Sequence, residues 1–137
     1  MNKINITVVL EKTEKSAYSA YLPELPGCVA TASSLHAVKK QISEAVLFHL
    51  EGMKEEGFEI PDDFREGYNL SFKTDVISLF EWFSGVLTKS GLSKLTGMNQ
   101  SLINQYALGI KSPSEKQTKK IEKALHHLGQ ELLEIQL

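Results

Sequence analysis

Cysteine is nearly absent: Cys28 is the only one in 137 residues, so no internal disulfide can form. That favours a reducing compartment, the cytoplasm, and a lone cysteine among apolar neighbours is expected to be a small buried residue. Four prolines and nine glycines, with 42% hydrophobic residues, exclude a disordered or low-complexity chain. No apolar run approaches the length of a membrane span. The apolar stretch within "MNKINITVVLEKTEK" is too short for a signal peptide, and charge follows it at once.

Net charge is also scarce, at −2, but it is unevenly placed. Residues 1–75 carry 8 Lys/Arg against 12 Asp/Glu, a net −4, whereas residues 76–137 carry 7 Lys against 5 Glu, a net +2. An acidic front and a basic back predict two modules with different partners.

The hydrophobic period agrees with that division. Ile4, Ile6, Val8 and Leu10 alternate with Asn5, Thr7 and Val9, the period of a strand with one buried face, and "KTEKSA" is a polar turn. Tyr18, Ala20 and Leu22 mark a second strand, and Cys28–Ala32 a third. Ser33 or Ser34 then caps a helix with an apolar stripe of Leu35, Val38, Ile42, Ala45, Val46, His49 and Met53, ended by Gly57. "IPDDFREG" is a linker, and Tyr68–Lys73 alternates as a fourth strand. The first module is therefore β-β-β-α-β over residues 1–73.

Residues 74–137 have a helical period. Asp75 is a plausible cap for Val76–Val86, and Thr88 for Lys89–Leu95. Gly97–Asn99 is a turn, followed by a helix over Gln100–Leu108 that Gly109 ends. "SPSE" places Ser112 at the cap, Pro113 at the first helical position and Glu115 at the third, opening Pro113–Leu128, with Gly129 as the stop. Leu133, Ile135 and Leu137 alternate in the tail, the pattern of a terminal dimerisation strand able to pair with its copy in a second chain. The fold class expected is α+β, with a mixed first domain and an all-α second.

Two short helices around a glycine turn describe a helix-turn-helix, with Leu92, Leu95, Met98, Ile103 and Tyr106 as the shared core. The outward face of its second helix is Gln100, Ser101, Asn104 and Gln105. The set is short, uncharged and rich in amides, and amides bond an adenine edge at two points, so these four are the candidate base readers. Lys89, Lys94, Lys111, Lys116, Lys119 and Lys120 flank them as candidate phosphate contacts, which position a protein on DNA without reading sequence. A generic helical bundle with a polar face is the bland alternative. "GMNQSLINQYALGIKSPS" also resembles the lambda-repressor-like helix-turn-helix family, over about residues 86–129; Gly91 inside the first helix and Ala107 in place of an acidic residue depart from its pattern. The resemblance implies a transcriptional repressor that binds operator DNA as a homodimer or higher oligomer.

Pro23 and Pro26 fix φ and remove two backbone donors, and Gly27 permits a tight exit, so the link between strands two and three is a rigid corner. Backbone physics alone stops there. The stretch "YSAYLPELPGCVATASSLHAV", with Pro23, Pro26, Gly27 and Cys28 at its centre, resembles the signature of HicB-type antitoxins over about residues 3–73. Ala32 and Ala37–Val38 depart from the usual pattern. The resemblance implies a partial ribonuclease-H-like domain that binds and neutralises a small basic toxin cleaving mRNA. Glu11, Glu14, Glu24, Glu55, Glu56, Asp62 and Asp63 are the carboxylates available to such a partner.

No catalytic constellation is evident, so no enzyme activity and no cofactor or metal are expected. The first strand offers only Glu11, at its end, where a two-metal nuclease needs converging carboxylates. His49 falls on the apolar stripe as a core histidine, and His126 and His127 point about 100° apart on a helix, poor geometry for one metal. The expected function is an antitoxin that blocks a toxin ribonuclease and represses its own operon. The competing readings are a stand-alone regulator, whose first module would hold a sizeable small-molecule pocket, and a nucleic-acid hydrolase that would depend on Glu11.

Overall fold

The computed structural model describes residues 3–13 and 17–137. The turn expected at "KTEKSA" and the carboxylate of Glu14 fall largely outside these residues. The chain forms two compact units, Met1–Asp75 and Val76–Leu137.

In the first unit β1 (Ile4–Thr13), β2 (Ala17–Tyr21), β3 (Val29–Ala32) and β4 (Tyr68–Thr74) form one sheet in the order β3-β2-β1-β4. β1 pairs antiparallel with β2 through Leu10↔Ala20 and parallel with β4 through Ile6↔Leu70. β2 pairs antiparallel with β3 through Ala20↔Ala30. The parallel pairing needs a crossover, which α1 (Leu35–Glu55) supplies while packing on β2 and β3. Ile6, Val8, Leu10, Ala20 and Leu22 meet Val38, Ile42, Val46 and Leu50 in the core. Ile4, at the start of β1, is 45% exposed, unlike the rest of its alternation.

Ser34 is the cap of α1, its Oγ accepting from the Ala37 N–H at 3.1 Å. At the other end Gly57 takes φ +80°, with Gly57 N–H donating to Lys54 O and Phe58 N–H to Met53 O. Both bonds of a glycine-terminated helix end are thus made. The linker carries a short 3-10 turn, Asp62–Phe64, whose Phe64 ring packs edge-on against Tyr68 at 5.2 Å.

The second unit contains α2 (Val76–Trp82), α3 (Lys89–Thr96), α4 (Gln100–Ala107) and α5 (Glu115–Leu133). α2 stops at Trp82 and not at Val86, since Ser84 and Gly85 lack helix propensity. Val76, Phe80, Leu92, Met98, Ile103, Tyr106 and Ile121 form its core. Leu95, expected in that core, is 36% exposed; Thr96 turns inward in its place.

α5 differs most from its expectation. Its cap is Ser114, whose Oγ accepts from the Gln117 N–H at 3.2 Å, so the second of two overlapping capping patterns in "SPSEKQ" is used. Gly129 does not stop it. The His127–Glu131 pair at 2.6 Å spans that glycine at i,i+4, and the Gln130–Glu134 hydrogen bond at 3.1 Å supports the turn after it, recovering part of its cost of about 1 kcal/mol. In consequence Leu133 is helical, and no strand forms among Leu133, Ile135 and Leu137 in the single chain.

Candidate functional site

The corner between β2 and β3 consists of two successive turns. Leu25 N–H donates to Leu22 O at 3.1 Å, and Cys28 N–H donates to Leu25 O at 3.1 Å. Pro23 and Pro26 each occupy the second position of their turn, where a fixed φ is pre-set and no donor is needed. Gly27 follows Pro26 with φ +88°, as a type II turn requires. Spacing of three sends Leu22, Leu25 and Cys28 into the core, while Pro23, Glu24, Pro26 and Gly27 stay exposed. Leu25, at 2% exposure, is a plug that sequence reasoning missed; its signal was the repeat Leu-Pro-x-Leu-Pro. Cys28 precedes β3 and is not part of it. Cys28 is buried, and burial pushes its thiol above the ordinary range. Burial also raises Tyr68, with the charge of Cys28 adding to that effect.

Glu11, Glu24, Glu55, Glu56 and Asp62 are exposed and Asp63 is half-buried, with Asp62 paired to Arg65 at 2.9 Å. Among the described residues no three His, Cys, Asp or Glu side chains group as a metal site. His49 is half-buried on α1 and His36 exposed, while His127 is engaged with Glu131. No described helix is long and apolar enough to cross a membrane.

In the second unit α3 packs against α4 and α5, and α2 packs against α4. Thr88 caps α3 through the Gly91 N–H at 2.9 Å. A Cβ at Gly91 would stand 3.1 Å from Thr88 Oγ1, a tight contact that accounts for glycine there. Gly97 ends α3 with φ +71°, where a β-branched residue would be strained. Thr96 Oγ1 donates to Leu92 O at 2.7 Å and accepts from Met98 N–H at 3.2 Å, and Ser93 Oγ donates to Met98 O. The turn is thereby held by two hydroxyls of α3. Asn99 caps α4, its Oδ1 accepting from Ser101 N–H at 2.7 Å.

Of the candidate base readers, Gln100 and Ser101 are exposed, whereas Asn104 and Gln105 are half-buried. All six candidate phosphate lysines are exposed, and Lys119 lies 3.7 Å from Glu122. The structure brings Lys89 and Gln100 together: both line a hollow of about 520 Å³ floored by Phe80, Leu87, Leu92 and Leu108. This hollow lies within the helical unit and not in residues 1–73. Lys116, Lys119, Lys120 and Lys123 recur at three, four and seven along α5, one stripe away from buried Ile121. Lys123 is the member sequence reasoning left out of the phosphate set, although its spacing marked it. Leu133, Ile135 and Leu137 are exposed by 83%, 59% and 120%, a run of apolar side chains with no cover in the single chain.

Comparison with known proteins places the first unit. Residues 6–68, from β1 through the proline corner and α1 to the start of β4, match the model of the HicB-like antitoxin of bacterial toxin–antitoxin systems. A UPF0150 protein of Archaeoglobus fulgidus is 35% identical over 51 residues, which cover 37% of this chain and 74% of that protein. The corner, the crossover helix and strands β2 and β3 fall inside the family match, and with the relative it shows that the chain belongs to the HicB-like antitoxin family.

Proposed function

We propose that the chain is a two-handed antitoxin: its first unit binds and neutralises a small basic toxin that cleaves mRNA, and its second binds operator DNA to repress the operon encoding both. The strand order β3-β2-β1-β4 with a helical crossover supports a partial ribonuclease-H-like domain used as a binding scaffold. One observation carries the second half. The family match ends at residue 68, leaving a separate unit in which capped α3, a left-handed glycine and capped α4 form a helix-turn-helix with Gln100 and Ser101 exposed. Amides read bases, the lysines of α3, α5 and the Lys111 loop meet phosphates, and two chains joined through the apolar tail place two readers on paired half-sites.

The test is co-expression with the small basic protein encoded by the adjacent reading frame. Growth arrest by that protein alone, relieved by this chain, together with a stable complex of the two, is expected. The complex or the chain alone should also retard DNA from upstream of its gene and not a scrambled fragment. Failure of relief removes the toxin hand; equal binding to both fragments removes the operator hand.

A further inference from the structure

α1 buries one face and leaves an unusual one in water. Phe48 is 79% exposed and Leu47 58%, although a helix of this kind normally turns such side chains inward. Glu44, Glu51 and Glu55 stand at i−4, i+3 and i+7 from Phe48, so the phenyl ring sits within a row of three carboxylates. At about 1.5 Å rise per residue, Glu51 and Glu55 are about 6 Å apart along the axis, and Glu44 about 10 Å before Glu51. None of the ion pairs among the described residues engages these three. Lys40 and Lys54, a heptad to either side of Leu47, border the other flank.

We infer that this outer face of α1 is the docking surface for the toxin, and that it occupies the toxin's RNA groove as a mimic of a single strand, with carboxylates in place of phosphates and Phe48 in place of a stacked base. The inference rests on the antitoxin reading above and adds where and how the toxin is held. A protein that cleaves RNA must present cations to the phosphate backbone and flat apolar surface to bases. A row of carboxylates interrupted by one ring complements both. A second copy of this chain fits worse, because a two-fold contact through α1 would bring the acidic rows of both copies together. DNA is excluded by the same repulsion.

The experiment uses the full chain and the purified basic protein from the adjacent reading frame, with affinity measured by calorimetry. Phe48→Ser and Glu51→Lys are each expected to weaken binding at least about tenfold, with Glu51→Lys acting mainly on the association rate and losing its effect in high salt. Both sites are exposed, so thermal unfolding should stay unchanged, which separates a docking defect from a folding one. A nuclease-resistant 2′-O-methyl RNA oligonucleotide should compete with the chain for the toxin. Tight wild-type binding with both variants within about twofold, or RNA and chain bound to the toxin together, overturns the surface while leaving the antitoxin reading intact. Loss of self-association in Phe48→Ser, seen by sedimentation, would assign the face to a second copy and overturn the inference. No binding by the wild-type chain removes the antitoxin reading itself, and this inference with it.

Discussion

The imidazole of His49 lies over the glycine of the proline corner: a Cβ added to Gly27 would stand 3.7 Å from His49 Cε1. The family signature and the crossover helix therefore meet at one point. Pro23 and Pro26 stiffen the corner, and its demand for glycine comes from the left-handed φ of +88° at Gly27, since a Cβ there would meet His49 at ordinary contact distance. His49 belongs to this contact.

If Leu25 is the plug of the corner, Leu25→Ala should destabilise the first unit by about 2–4 kcal/mol, through lost burial plus a cavity. Neighbouring Glu24 is exposed, and Glu24→Ala should stay within about 0.5 kcal/mol. Urea unfolding followed by far-UV circular dichroism compares the two. Equal effects would mean that the corner is held by its prolines alone.

Cys28 makes stability depend on alkaline pH. Its folded pKa is raised above the ordinary value of 9.0, so the buried neutral thiol contributes stability that is complete below that value. As pH rises through the ordinary value and on toward the folded one, the unfolded state releases its proton first and the contribution is lost. Unfolding midpoints should fall more steeply above pH 9 in the native chain than in Cys28→Ala. Alkylation of the native thiol at pH 8 should be slow and should accelerate in denaturant.

Thr96→Val keeps the volume of a buried side chain but removes the hydroxyl that bonds Leu92 O and Met98 N–H. A loss of about 1–2 kcal/mol is expected, because the Met98 donor is left without its partner. Thermal unfolding reports the loss. Weaker operator binding should accompany it if the α3–α4 pair is the DNA reader, since the bond lies in the turn that joins them.

On DNA, Gln100→Ala should cost about 1–3 kcal/mol on the operator and little on scrambled sequence. Lys116→Ala should weaken both alike and reduce the salt slope by about one. Lys123→Ala should behave like Lys116→Ala, whereas Lys119→Ala should have less effect because Lys119 lies beside Glu122. Fluorescence anisotropy across a salt series distinguishes these outcomes.

Ile135→Lys places a charge in the exposed apolar tail and should convert dimers to monomers in sedimentation, weakening operator binding in step. Fold stability should change little, since Ile135 is 59% exposed in the single chain. A dimer that survives with normal DNA affinity would place the interface elsewhere.

Much of this architecture is written in single residues. The strand alternation of Ile6, Val8 and Leu10, the caps Ser34, Thr88 and Asn99, and the left-handed stops Gly57, Gly97 and Gly109 all follow from rules that act within about four residues. Those rules made the corner and the α3–α4 pair legible before any contact was known. Tertiary structure decided matters in which two local solutions compete or an opposing surface chooses. It selected Leu50 over His49 for the core stripe of α1, Thr96 over Leu95 for the core of the second unit, and Ser114 over Ser112 as the cap of α5. It also carried α5 through Gly129, which the His127–Glu131 pair spans at i,i+4. Local chemistry sets what a few residues can do; burial and pairing depend on what the rest of the chain brings against them, and that is a property of the folded molecule.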